Sequence, residues 1–131
     1  MSAFSNYLED QITGWIAGTS MTAPTATFVQ LYSQDPTDAG SATGALYSRV
    51  TVASGAGSWT RGTGGAGTIT NASAIIITSS ATATASATHF AVFDASATGN
   101  LLFYGALSTN KTIASGDEVK FNASALTLTV A

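Results

Sequence analysis

The residues best able to move a proton are one histidine, His89, and seven carboxylates: Glu9, Asp10, Asp35, Asp38, Asp94, Asp117 and Glu118. Catalysis by His89 needs a nucleophile or an orienting carboxylate within hydrogen-bond reach. Asp94 is the nearest acid in sequence. It lies an odd number of residues along a strand-like stretch, which puts the two side chains on opposite faces. The remaining acids sit in turn-forming or helix-capping stretches, where solvation and backbone hydrogen bonds account for them. With no cysteine there is no thiolate nucleophile, disulfide framework or Cys-based zinc site. His89 is expected to serve structure.

Two loops could hold an ion or a phosphate. Asp35-Pro36-Thr37-Asp38-Ala39-Gly40 has oxygen ligands but too few carboxylates for a calcium loop, and reads as a turn. The glycine-rich stretch 62–67 (GTGGAG) has no lysine and no following helix, so it lacks a phosphate-binding signature. The alternating Thr and Ala around 82–88 is one row, too little for the stacked array of an ice-binding face. The expectation is no catalytic, metal or cofactor-binding residues and no cofactor.

Charge excludes further classes. Charged residues are 8% of the chain, against about 25% in a typical soluble domain. Ser, Thr, Gly and Asn take their place, giving a weakly self-repelling surface suited to being covered by partners. The net charge is −3, and Arg49, Arg61, Lys111 and Lys120 are scattered, so no nucleic-acid partner is expected. No apolar run approaches the roughly 18 residues of a membrane span, and the first residues lack the basic start of a secretory signal. Folding in a cytoplasm is expected.

Helical periodicity is confined to residues 1–18. Phe4, Leu8, Ile12, Trp15 and Ile16 form a stripe with Tyr7 beside it. Asn6 with Glu9 resembles a capping box, Ser2 is another possible start, and Gly18 suits the stop. Beyond Pro24 the period is two. Strands are predicted at 25–34, with Val29 and Leu31 opposite Phe28 and Tyr32, and at 45–53, with Leu46, Val50 and Val52 inward and Tyr47, Arg49 and Thr51 outward. A glycine-rich, mobile loop over 54–67 has Trp59 as its anchor, and a strand over 67–77 carries Ile69, Ile75 and Ile77 on one face. A hairpin spans 87–107, and 117–122 with 125–130 makes a second one.

Seven or eight short strands without intervening helices indicate an all-β chain. A β-sandwich or jelly-roll-like domain over 19–131, preceded by a short N-terminal α-helix over 1–18, is expected. The hairpin HFAVFDASATGNLLFYGALS (89–108) is apolar on both faces. Phe90, Val92, Leu101 and Phe103 are assigned to one face and Phe93, Leu102 and Tyr104 to the other. The second face needs a cover, either the helix or another subunit.

Several phrases resemble a family of small bacteriophage virion proteins, of the tail-fibre-like or capsid decoration kind. They are SAFSNYLEDQI, TAPTATFVQLYSQDPTDAG, the Tyr47-x-Arg49 pair, ITNASAI, THFAVFDASATGNLLFYGALSTNKTIASGD and FNASALTLTV. The resemblance runs in order along nearly the whole chain. One departure is Thr84-Ala85, where relatives often carry Trp-Gly.

The resemblance implies a non-enzymatic virion component present in many copies. Two placements follow. A cement protein would bind the outside of the major capsid protein lattice and stabilise it; a tail or tail-fibre component would join tail proteins and serve assembly or host attachment. The single small domain, the lack of a fibrous repeat and the lack of an aromatic-rich loop for carbohydrate favour cement. A homotrimer is expected, with interface residues Phe4, Tyr7, Leu8, Ile12, Trp15, Ile16, Phe93, Leu102 and Tyr104.

Overall fold

The computed structural model describes residues 2–40, 43–53, 57–65, 67–79 and 84–130. Parts of the glycine-rich stretch (54–56 and 66) and of the low-complexity stretch (80–83) lie outside the described residues. The chain is all-β with one short helix. A five-stranded antiparallel sheet has the order β1 (Ser2–Phe4), β8 (Leu101–Ile113), β7 (Ala85–Phe93), β2 (Ala26–Tyr32), β3 (Ala45–Ala53).

Two small sheets complete the fold. One has the order β10 (Thr127–Thr129), β5 (Thr68–Asn71), β4 (Trp59–Arg61), and the other pairs β6 (Ile75–Thr78) with β9 (Glu118–Phe121). The predicted strand over 67–77 is therefore two strands in different sheets. The expected hairpin over 117–130 does not form, because β9 pairs with β6 and β10 with β5. The glycine-rich stretch contributes a strand, β4, where only a loop was expected.

Asn71 explains the switch of sheets. Its side chain is fully buried. It donates to the carbonyls of Ser73 and Asn122 at 2.8 and 2.9 Å and accepts from Leu126 N–H at 2.9 Å. One amide thus closes the turn after β5 and holds the β9–β10 connection against it. Satisfying three buried backbone groups at once fixes a geometry that alternation of apolar residues cannot express.

One core joins all three sheets. Val29, Leu31, Phe90, Val92, Phe103 and Ile113 of the large sheet meet Trp59, Ile75, Ile77, Val119, Phe121 and Leu128 of the small ones. Trp59 packs edge-on to Phe103, with ring centroids 5.8 Å apart, and its indole N–H donates to Thr27 Oγ1 at 2.9 Å. The polar tip of the largest core side chain is therefore satisfied.

Two register shifts correct three assignments of faces. Val92 pairs with Phe103 but Phe93 with Leu101, so Leu102 is an extra residue in β8. A bulge reverses the alternation beyond it. Leu101 consequently joins Phe93 on the second face, while Leu102 joins the side of Phe103. In β3, Val50 pairs with Val29 and Leu46 with Leu31, leaving residues 47–49 opposite Gln30. Tyr47 takes φ 60° there and turns inward onto the core, where its hydroxyl is buried without a partner.

The second face of the hairpin is covered by the chain itself. Phe93, Leu101, Tyr32 and Ala91 form a separate buried cluster with Phe28 and Tyr104 around it. The Asp35–Gly40 loop lies on it: Pro36 is fully buried, and a Cβ at Gly40 would stand 3.2 Å from that of Leu101. Asp35 Oδ1 accepts from Thr37 N–H at 2.8 Å, and the Asp38 carboxylate accepts from the Tyr104 hydroxyl. Arg49 completes the seal, its guanidinium 3.5 Å from the Phe93 ring centroid.

Candidate assembly surface

The N-terminal segment begins as a strand, not a helix. β1 runs antiparallel to β8, with Phe4 opposite Phe103, so Phe4 packs half-buried against the main core. The chain turns at Ser5, which is fully buried. Ser5 N–H donates to Leu102 O at 3.1 Å, and its hydroxyl donates to Leu101 O. The same hydroxyl accepts from Leu8 N–H at 3.2 Å, making Ser5 the N-cap of helix α1 (Asn6–Ile16) rather than Ser2 or Asn6. Asn6 N–H donates to Asp38 O at 3.1 Å. The loop that seals the second face therefore also fixes the start of the helix.

From that anchor the helix runs out over little protein. None of its residues is buried. Leu8 and Ile12 are half-buried, whereas Tyr7, Trp15 and Ile16 are exposed, the last two at 63% and 74%. Gly18 ends the helix with φ 93°, and the returning chain leaves Met21 43% exposed. Large apolar side chains so exposed and so close in sequence are unusual on a lone soluble domain.

Beside the helix lies a cavity of about 550 Å³. Tyr7, Leu8 and Gln11 of α1 and residues 21–24 form one side, and Trp59, Ile69, Leu102, Phe103 and Leu128 form the other. Arg61 and Asp94 are the only charged residues in its described lining. The bulge explains why Leu102 reaches this cavity. Met21 and Arg61 belong to the surface although no sequence pattern marks them, since each stands in a stretch without a clear period.

Of the predicted interface residues, Phe4 is taken up by strand β1 against the core, and the other eight separate into two groups. Tyr7, Leu8, Ile12, Trp15, Ile16 and Leu102 are brought together around the helix and cavity. Phe93 is 4% exposed beneath Arg49, and Tyr104 is half-buried and bonded to Asp38, so both are committed within the chain. The hydrogen bond from Tyr104 to Asp38, with burial adding to it, pushes its phenol from 10.0 up to about 12.

The groups that looked able to do chemistry are dispersed. His89 Nδ1 lies 2.8 Å from Thr88 Oγ1, and Asp94 accepts from Asn100 N–H and Nδ2 at 2.6 and 2.8 Å to close the hairpin turn. Gly99, at φ 69°, lets that turn form, since a Cβ there would stand 2.6 Å from Asp94 Oδ1. Among the described residues no three His or acidic side chains cluster to hold a metal ion. No described helix is long and apolar enough to cross a membrane.

A family model described as podophage GP4 fiber I protein gp80 matches residues 3–129. The chain belongs to this family of phage fibre proteins. The match spans both the sealed hairpin and the exposed helix, so both features lie inside the fibre-family domain. No curated protein matches the chain.

Proposed function

We propose that the chain is a non-enzymatic structural subunit of a phage fibre or tail apparatus, attached to its neighbours through helix α1 and the apolar cavity beside it. The family match over residues 3–129 carries this reading. The exposed Trp15, Ile16 and Met21 favour α1 as the contact. The subunit assembles with copies of itself, as a trimer, and with other tail proteins. With few charges available, the contacts are mostly apolar and backbone-mediated and resist salt.

A single small domain without a fibrous repeat would also suit a capsid cement protein. Membership in a fibre family removes the force of that reasoning, since a compact domain can serve as one unit of a larger fibre. Quantified gels of purified particles, before and after tails are detached, test the proposal. The protein is expected in few copies and to leave with the tails. Retention on tailless capsids, at a copy number near that of the major capsid protein, would restore the cement reading.

A further inference from the structure

A second cleft, of about 630 Å³, opens between the far half of β8 and the β9–β10 connection. Three features set it apart. Lys111 and Lys120, two of the chain's four basic residues, line it from opposite walls, and none of the seven acids does. Neither lysine has an ion-pair partner among the described residues. The polar lining is otherwise hydroxyl and amide: Ser108, Thr109, Asn122, Thr127 and Thr129.

The wall is shaped by a break in the hairpin. Ala87 pairs with Lys111 but His89 with Ala106, so residues 107–110 of β8 stand opposite Thr88 alone. An interior bulge of this size spends ladder hydrogen bonds and re-aims side chains, a device concentrated beside binding sites. Here it carries Leu107, Ser108 and Thr109 into the cleft lining. Beneath lies an apolar floor of Phe90, Phe121 and Leu126.

We infer that this cleft binds an acidic oligosaccharide. A sugar chain offers hydroxyls to Ser108, Thr109 and Thr127, while its carboxylates meet Lys111 and Lys120. Two cations are too few to follow a nucleic-acid backbone. No described aromatic side chain is exposed in the cleft, so binding rests on charge and hydrogen bonds. The inference stands on the cleft alone and holds wherever on the virion the subunit sits.

Titration of the full chain with a short galacturonate oligomer, followed by calorimetry, is the test. Saturable binding is expected, weakening with salt, with no binding of a neutral glucose oligomer of equal length. The double variant Lys111→Ala, Lys120→Ala is expected to lose at least about tenfold in affinity. Both positions are exposed, so its melting temperature should stay near that of the parent. Thr127→Val separates saccharide from simple polyanion, because it should weaken galacturonate and leave an aspartate oligomer unaffected. Absence of saturable binding, equal affinity for the aspartate oligomer, or binding unchanged in the double variant would overturn the inference.

Discussion

The hairpin's second face and the N-terminal helix are both apolar beyond what one core requires, yet they end differently. The hairpin face is closed over by the Asp35–Gly40 loop and Arg49. The helix is left with Trp15 and Ile16 largely in solvent. What separates them is the supply of polar groups able to hold a cover in place. Around Phe93 the chain places a guanidinium held by Gln30 and two turn carbonyls, and beside it a tyrosine hydroxyl bonded to a carboxylate. Around Trp15 no described residue supplies anything comparable, and on the proposed function the lid comes from another molecule.

Arg49→Ala should break the comparison hardest. Arg49 donates to the carbonyls of Ala95 and Thr98, both at 2.7 Å, and to Gln30 Oε1 at 3.1 Å, besides stacking on Phe93. Its pKa is lowered chiefly by burial, partly offset by Tyr32 and Asp94, but it stays charged. Removing it uncovers the ring and strips the turn carbonyls of their donor. A loss of about 2–3 kcal/mol in denaturant unfolding is expected. A loss under about 0.5 kcal/mol, the size of an ordinary surface change, would mean that the face is not sealed in solution.

The latch from Tyr104 to Asp38 is the next step down. Tyr104→Phe should cost about 1 kcal/mol at neutral pH. Its phenol is raised from 10.0 to about 12 in the fold. The stabilisation it contributes is therefore complete below about pH 10 and fades as pH climbs towards 12. The gap in stability between parent and Tyr104→Phe should close over that interval. A gap that stays constant from pH 8 to pH 12 would show that the hydroxyl holds nothing.

These contrasts also show where the sequence was legible. Alternation located β2, β3, β7 and the core positions Val29, Leu31, Val119 and Phe121, because two-residue periodicity records burial directly. It failed at Leu101, Leu102 and Tyr47, where an inserted residue or a positive φ reverses the faces without changing composition. It failed again at 67–77, because the reversal depends on the Asn71 side chain bonding the local backbone of Ser73 and the distant backbone of Asn122 and Leu126. The helical stripe was real, but Phe4 left it for a strand whose partner lies about a hundred residues onward. The stripe's exposure followed from the fold, not from its period. The two lysines of the second cleft appeared scattered because their strands meet only through the sheets.

The smallest expected effect on stability is at the helix, and there it is the diagnostic one. Trp15→Asp with Ile16→Asp replaces side chains that touch little of their own domain. The folded chain should lose no more than about 0.5 kcal/mol. The helix is held instead through Ser5, whose hydroxyl and backbone bind Leu101 and Leu102, and that anchor is untouched. Assembly should fail, because a carboxylate carried into an apolar contact must be desolvated without a partner. Light scattering should show the oligomer of the parent replaced by monomer, with an unchanged circular dichroism spectrum. Loss of the β-signal would mean that Trp15 and Ile16 belong to the domain's own core. A folded double variant that still forms the oligomer and still enters tails would move the contact away from α1.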